Sequence, residues 1–403
     1  MKTYRNIQDL ELRGKRVFLR VDFNVPLKDA GDGVFEVSDD ARIRGALKTI
    51  EYIVEKEGKC ILASHLGRPD GVVKKKFSLE PVAKKLSELL NRDVTLSEDS
   101  VGDGPRALSQ RMRPGEILLL ENLRFHPGEE KNAVEFANQL RELCDIYVND
   151  AFGTLHRAHA STSALPKQVP DKAIGLLVQR EIAYLQPLRE APKRPLVLCM
   201  GGSKVSDKIG VLEYFLDKVD TIIIGGAMAY AFLRAKGHSI GKSYCDFSQV
   251  TIADRLIKSA EVRGVRIQLP VDHVVARAID NPTSSFTTEN AEIPDPFMGV
   301  DVGPKSIELF GEALKGAATI LWNGPMGVFE VPAFSAGTFA LAKLIAASSG
   351  QKLAGGGDSA AAIAESGVEA QFDFISTGGG ATLEYLEGKD LPGLKVLEIG
   401  TRS

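Results

Sequence analysis

The sequence predicts an α/β protein of two doubly wound, parallel-sheet domains joined by a helix. Three observations predict it. Short β-rich runs alternate with amphipathic runs, the pattern of parallel strands linked by crossover helices. At 403 residues the chain is too long for one ordinary core. The alternation breaks once, near the middle, at a helical stretch followed by the proline-bounded segment APKRP.

In the first series, 16–23 (RVFLRVDF) reads as a strand, 41–57 as a helix and 59–64 as a strand. Then come a helix at 79–90, a strand at 116–120, a helix at 131–143 and a strand at 145–148. The break follows at 178–189, where Ile182, Leu185 and Leu188 share helical spacing and Pro187 lies near the end. The second series places strands at 196–200, 219–224, 265–269, 273–276, 319–322, 351–354 and 373–376. Helices are expected at 205–216, 228–235, 252–263, 306–314, 338–347, 360–365 and 383–386. Both series read as Rossmann-like: a first domain over 1–175, a hinge helix over 176–194 and a second domain over 195–389.

Composition narrows the function. A net charge of −3 and a pI near 6.2 argue against a nucleic-acid binder or a binder of anionic membranes. The N-terminus has no apolar signal core, and the longest apolar run, 222–233, is too short to span a bilayer. Cys60, Cys144, Cys199 and Cys245 form no metal-like spacing, so reduced, buried thiols in a cytoplasmic protein are expected.

Ligands of doubly wound sheets lie beyond the carboxyl ends of the strands. In the first half those ends are polar and cationic. They read Asp22-Phe23-Asn24, then His65-Leu66-Gly67-Arg68, then Asn122-Leu123-Arg124, then Gly153-Thr154 with His156, Arg157 and His159 beyond. Arg42 opens the first helix. Arginine binds phosphate and carboxylate through a planar fork. Any one of these arginines is explained by a surface salt bridge; four on one rim suit a small polyanion.

In the second half, glycines sit between strands and helices. Gly201-Gly202 precede Lys204 and Lys208, which are one helical turn apart and so share a face. Gly225-Gly226 follow the next strand, Gly355-Gly356-Gly357 precede Asp358 and Ser359, and Gly378–Gly380 open the last helix. A helix start behind glycines offers unpaired N–H groups to phosphate. Asp358 would repel phosphate unless a cation such as Mg²⁺ lay between them. A tight turn with Asp358 as N-cap explains that stretch alone equally well. Several such junctions in one domain point to a nucleotide. No dinucleotide G-x-G-x-x-G follows the first strand of either domain, and Gly237–Ser243 (GHSIGKS) lacks the spacing and context of a P-loop.

Ten motifs, taken in order, resemble phosphoglycerate kinase over about residues 5–392. They are RVDFNVP, SHLGRP, ENLRFHPGEE, NDAFGTLHRAHAS, GGSKVSDKI, IGGAMAY, MGVDVGPK, LWNGPMGVFE, GGGDSA and STGGGATLEYLEGK. The resemblance implies reversible phosphoryl transfer between 1,3-bisphosphoglycerate and ADP, giving 3-phosphoglycerate and Mg-ATP, in a monomer whose domains close about a hinge.

It also implies residue roles. Asp22 and Asn24, with Phe23, would hold the hydroxyl and carboxylate end of the glycerate. His65, Arg68, Arg124 and Arg157, with Leu66, Gly67, Gly153 and Thr154 around them, would bind its other phosphate. Arg42 would meet the reacting carboxyl-phosphate. Lys204 would stabilise the moving phosphoryl group, beside Gly201 and Gly202, and Lys208 the nucleotide phosphates. Gly225, Gly226, Gly299 and Val300 would wall the adenine, Glu330 would bind the ribose and Asn323 would lie near the phosphates. Gly355, Gly356, Gly357, Ser359 and Gly380 would cradle phosphate, with Gly357 and Gly380 at the transfer site and Asp358 on Mg²⁺. The tail over 390–403 would pack on the first domain.

Four positions depart from the commoner family pattern: Ser203, Ala227, Phe297 and Ser359. None removes a charge. An unrelated P-loop kinase would need a Walker loop and would leave the arginine rim unexplained. A non-catalytic solute binder would not need Lys204, Lys208 and Asp358 beside glycines.

Overall fold

The structure is a computed structural model and describes residues 2–401. Two compact units divide the chain: one runs up to Ala183 and is rejoined from Asp390 onward, the other spans Tyr184–Lys389. The division falls inside the helix Leu176–Glu190, which contains Pro187.

The first unit is built on a six-stranded parallel sheet. Its order is Val94–Leu96, Ile117–Leu119, Lys59–Ala63, Arg16–Arg20, Ile146–Asn149 and Lys172–Ile174. Helices cover both faces, so the central strands read as unbroken apolar runs. Val17, Leu19, Leu62, Leu119 and Val148 join Ile43, Ile50 and Leu86 in one core. The chain leaves Arg16–Arg20 toward one edge and returns on the other side at Ile146–Asn149, so the strand order reverses between these two. The chain ends meet here: Lys2–Tyr4 pairs antiparallel with Glu398–Thr401, and Gly393 N–H donates to Leu155 O at 2.9 Å.

The second unit has a parallel sheet in the order Arg266–Gln268, Thr221–Ile224, Leu196–Met200, Thr319–Asn323, Gln351–Gly355 and Phe374–Ser376. This is the dinucleotide-fold order, and it reverses between Leu196–Met200 and Thr319–Asn323. Trp322, Phe310, Ile320 and Leu341 centre its core.

The structure departs from expectation in several places. His273–Ala276 leaves the parallel sheet and pairs antiparallel with Phe286–Thr287 and Met298–Val302. The helix expected over 131–143 is shorter, Val134–Arg141, and a separate short helix, Pro127–Glu130, precedes it across Asn132, which takes a left-handed φ of 52°. The helix expected from 205 starts as a 3₁₀ turn, Val205–Asp207, before Ile209–Phe215. An antiparallel hairpin, Leu27–Gly31 with Val34–Val37, and the edge strands Val94–Leu96 and Lys172–Ile174 were not expected. Cys60, Cys144 and Cys199 are buried, but Cys245 is only partly so. Among the described residues no helix is long and apolar enough to cross a membrane.

Candidate active site

At the carboxyl ends of the first sheet, polar side chains converge on His65, which is 3% exposed. Ser64 ends the neighbouring strand and accepts a hydrogen bond from Phe23 N–H at 2.8 Å, tying two strand ends together. Asp22 lies on the adjoining loop, its Oδ1 4.0 Å from His65 Nδ1 and its Oδ2 accepting from Arg42 Nη1 at 2.9 Å. Arg42 reaches it from the first turn of the helix Ala41–Glu55. Asn24 Oδ1 accepts from Gly67 N–H at 2.8 Å. Arg124 is 4% exposed and donates to Gly67 O at 2.7 Å. Arg157 Nε contacts His156 Nε2 at 3.2 Å.

These cations act together. Burial first, then Arg20, Arg124, Arg157 and Arg42, hold the His65 imidazolium pKa well below its ordinary value. Burial first, then Arg124, Arg20 and Arg157, lower that of His159 to about 4. Both rings are therefore neutral at pH 7. Of the predicted arginines, Arg68 alone is absent from the group acting on His65, and it is exposed. Phe23 and Leu66 bury their side chains in the core, so only their backbone can face a ligand. Thr154 Oγ1 donates to Ala151 O at 2.9 Å, closing the 3₁₀ turn Phe152–Thr154 that contains Gly153. Asp150 is structural: Oδ1 accepts from the N–H groups of Leu177 and Val178, and burial raises its pKa to about 7.

Sequence reasoning missed Arg20. It is 1% exposed, and its Nη2 lies 3.4 Å from His65 Nδ1. The available signal was an arginine closing the apolar run Val17-Phe18-Leu19 of a central strand. A cleft of about 500 Å³ between the hairpin and the helix Glu80–Leu90 contains none of the predicted residues. Lys75, Lys84 and Lys85 there face Glu36, Glu80 and Glu88, so its charge is balanced.

In the second unit the glycines divide into two kinds. A Cβ on Gly201 would lie 2.0 Å from Pro325 O, on Gly225 2.1 Å from Met326 Sδ, and on Gly226 2.6 Å from Gly202 N. These loops are stitched together backbone to backbone: Gly201 N–H donates to Asn323 O, Gly202 N–H to Pro325 O and Gly226 N–H to Met326 O. Such glycines serve packing at the reversal point of the sheet. By contrast, a Cβ on Gly202, Gly357 or Gly379 would meet nothing within 4 Å. Gly299 is again tight, its Cβ falling 2.1 Å from the Tyr230 hydroxyl, beside buried Val300.

The helix Gly357–Glu365 starts directly at the glycines, with Gly356 as N-cap at φ 96° and no side-chain cap. Asp358 is therefore in the first turn and is not the N-cap. Asn323 Nδ2 donates to Gly355 O at 2.6 Å, and Ser359 Oγ accepts from Gly324 N–H at 2.7 Å. Asn323 Oδ1 is buried without a hydrogen-bond partner among the described residues. The helix Gly380–Leu386 likewise begins uncapped behind Gly379. Glu330 is exposed. Phe297 stacks edge-on against Phe286 at 4.9 Å and carries Arg277 over its ring.

Lys204 and Lys208 do not share a helical face. Lys204 is extended (φ −136°, ψ 133°) and exposed, and the 3₁₀ turn separates it from Lys208 at the helix start. Gln249, a second residue the sequence did not single out, holds that turn by accepting from Val205 N–H at 3.3 Å. Burial lowers the Lys208 pKa to about 8, against the opposing pull of Asp358 and Asp207. Among the described residues no group of three or more His, Cys, Asp or Glu could hold a metal. Asp358 is a single exposed carboxylate, a donor set that fits Mg²⁺ only when phosphates complete its shell.

Cations gathered at one parallel sheet, and open glycine backbone before the helices of another, suit phosphoryl transfer between two small molecules. That puts the chain among the two-domain kinases. The family model described as phosphoglycerate kinase matches residues 7–389. Phosphoglycerate kinase of Anaeromyxobacter dehalogenans (strain 2CP-C) is 50% identical over 396 residues, covering 98% of this chain and 99% of that one. The Bdellovibrio bacteriovorus enzyme of the same name is 48% identical, covering 100% and 99%. The structure of phosphoglycerate kinase from Coxiella burnetii superposes with a TM-score of 0.88 at 40% identity, over 98% of this chain and 99% of that one. The chain belongs to the phosphoglycerate kinase family. It is a phosphotransferase with a carboxyl-group acceptor, and its reaction is the family's glycolytic one.

Proposed function

We propose that the first unit binds 3-phosphoglycerate or 1,3-bisphosphoglycerate and the second binds Mg-ADP or Mg-ATP. The observation that carries this reading is the grouping of Arg42, Arg124 and Arg157 around a neutral His65 at the end of one sheet. The forks of Arg124 and Arg157 suit the non-reacting phosphate, with Arg68 joining from the surface, and Arg42 faces the reacting carboxyl-phosphate. Asp22 and Asn24 take the hydroxyl and carboxylate end. Because Arg42 is paired with Asp22, substrate exchanges one partner for another instead of meeting a bare charge.

In the second unit, Lys208, the uncapped helix starts at Gly357 and Gly380 and the open loop at Gly202 hold the nucleotide phosphates. Asn323 Oδ1 gains a partner there. Gly225, Gly226, Gly299 and Val300 wall the adenine, and Glu330 takes the ribose hydroxyls. Asp358 holds Mg²⁺, which when bound neutralises phosphate charge. Arg42 and Lys204 stabilise the equatorial oxygens of the moving group. The acceptor carboxylate has no proton to remove, so no general base is required. His65, His156 and His159 are accordingly ligands or structural donors. Transfer needs Arg42 and Lys204 at one phosphoryl group, with the helix Leu176–Glu190 as hinge and water excluded. The enzyme works as a cytoplasmic monomer.

Calorimetric titration of Arg157→Ala tests the assignment of the halves. Loss of a charged fork should weaken 3-phosphoglycerate binding about ten- to a hundredfold and leave ADP binding unchanged. Unchanged glycerate affinity would refute it.

A further inference from the structure

Glu129 is a carboxylate with 0% exposure that none of the assigned roles uses. It sits in the short helix Pro127–Glu130, just after the turn that carries Arg124. A buried carboxylate is costly unless it is fully hydrogen-bonded and paired. Both of its oxygens are hydrogen-bonded, and both bonds come from one residue. Ser161 N–H donates to Oε2 at 2.9 Å, and Ser161 Oγ–H donates to Oε1 at 2.5 Å.

The direction of these bonds matters. A serine hydroxyl has one proton, and here it goes to Glu129. Its lone pairs are left to accept, and Arg20 Nε donates to Ser161 Oγ at 2.8 Å. The other end of the same guanidinium lies 3.4 Å from His65 Nδ1. Bonds in such a chain polarise one another, so the charge on Glu129 strengthens the hold of Ser161 on Arg20. The serine is itself pinned: Tyr147 Oη donates to Ser161 O at 2.8 Å, and Asn149 Nδ2 donates to Tyr147 Oη at 2.8 Å. Ser161 belongs to the π-helical turn Ala160–Ala164, a form concentrated at functional sites.

We infer that Glu129 is a positioning residue for the anion-binding rim, fixing the guanidinium of Arg20 against His65 through the hydroxyl of Ser161. The ionisable groups Arg20, Arg124, Tyr147 and His159 face Glu129, and His159 Nδ1 is 4.0 Å from Oε1. Burial pushes the carboxyl pKa up, while Arg20, the Ser161 bonds and Arg124 pull it down. Glu129 thus also supplies a buried counter-charge among arginines that would otherwise repel one another. The inference rests on the proposal that this rim binds the glycerate phosphate.

Glu129→Gln keeps the shape and removes the charge. Its amide must donate to Ser161 Oγ, which reverses that bond and weakens the hold on Arg20. Ser161→Ala removes the link outright. Steady-state kinetics on the full-length enzyme should show KM for 3-phosphoglycerate rising about tenfold in each single variant. KM for ATP should stay unchanged. The double variant should be no worse than the more damaged single, because both act through one chain of bonds.

A purely structural cap would lower the melting temperature and leave the KM for 3-phosphoglycerate untouched, and that result overturns the inference. If Glu129→Gln fails to fold, Ser161→Ala decides alone by the same readout. Arg157→Ala is the control. If it raises the KM for 3-phosphoglycerate and the Glu129 and Ser161 variants do not, the inference alone fails. If Arg157→Ala leaves that KM unchanged, the assignment of the rim fails and takes the inference with it.

Discussion

Lys208 offers a pH test of the nucleotide half-site. Burial lowers its pKa to about 8, so it titrates in a range where most lysines stay charged. If the charged form binds the nucleotide phosphates, affinity must follow its titration. The charged fraction falls from about nine-tenths at pH 7 to about one-tenth at pH 9, so ADP affinity should drop about tenfold across that range. Lys208→Arg keeps its charge throughout and should flatten the profile. Calorimetric titration of Mg-ADP at pH 7, 8 and 9 on both proteins reads this directly. A flat wild-type profile, or an equal slope in the arginine variant, would refute the reasoning. The same shift has a stability consequence. The folded pKa lies below the ordinary 10.5, so the folded state binds the proton less well than the unfolded one. The cost of charged Lys208 is present in full below pH 8 and is relieved as pH rises from 8 to 10.5.

Other predictions follow from the same geometry. Asp358→Asn should weaken binding of Mg-nucleotide and leave glycerate binding intact; unchanged metal dependence in a magnesium titration would remove its role. Gly201→Ala should lower the melting temperature by several degrees, because its Cβ would fall 2.0 Å from Pro325 O, an overpacking worth about 1–3 kcal/mol. Gly357→Ala should leave the melting temperature unchanged and reduce kcat, since its Cβ points into open space where the phosphates are expected. Thermal melts and kinetics on the pair would expose a reversed outcome.

What was legible in the sequence depended on burial. The central strands, Leu196–Met200 and Thr319–Asn323 among them, are buried along their whole length and stand out as apolar runs. The hairpin Leu27–Gly31 with Val34–Val37 is largely exposed and lacks that pattern, although Asp32-Gly33 is a strong turn signal, with φ of 52° and 70°. Edge strands of three residues, such as Val94–Leu96, are too short for periodicity to register. His273–Ala276 reads as a strand from its composition, but composition does not say which sheet it joins.

The candidate site shows the same division. Residues at strand ends, such as Asp22, His65 and Arg124, were found because sheet topology says where to look. Glu129 and Ser161 were not, because nothing local distinguishes a buried polar group from a solvated one, and Arg20 was marked only by its place at the end of an apolar run. The shared face read for Lys204 and Lys208 failed because Lys204 is extended and a 3₁₀ turn, Val205–Asp207, separates it from Lys208 at the helix start. The glycine motifs were visible as motifs. Only the positions of Pro325 and Met326 separate those that serve packing from those that face open space.

The central claim is that the transfer step depends on cations held in different units, Arg42 in one and Lys204 in the other. Turnover of Arg42→Ala tests it most directly. Arg42 is exposed and its pairing with Asp22 adds little stability, so the variant should fold normally. Its kcat should fall by about two to three orders of magnitude while ADP affinity barely changes. A near-normal kcat in a folded, ADP-binding protein would contradict the account.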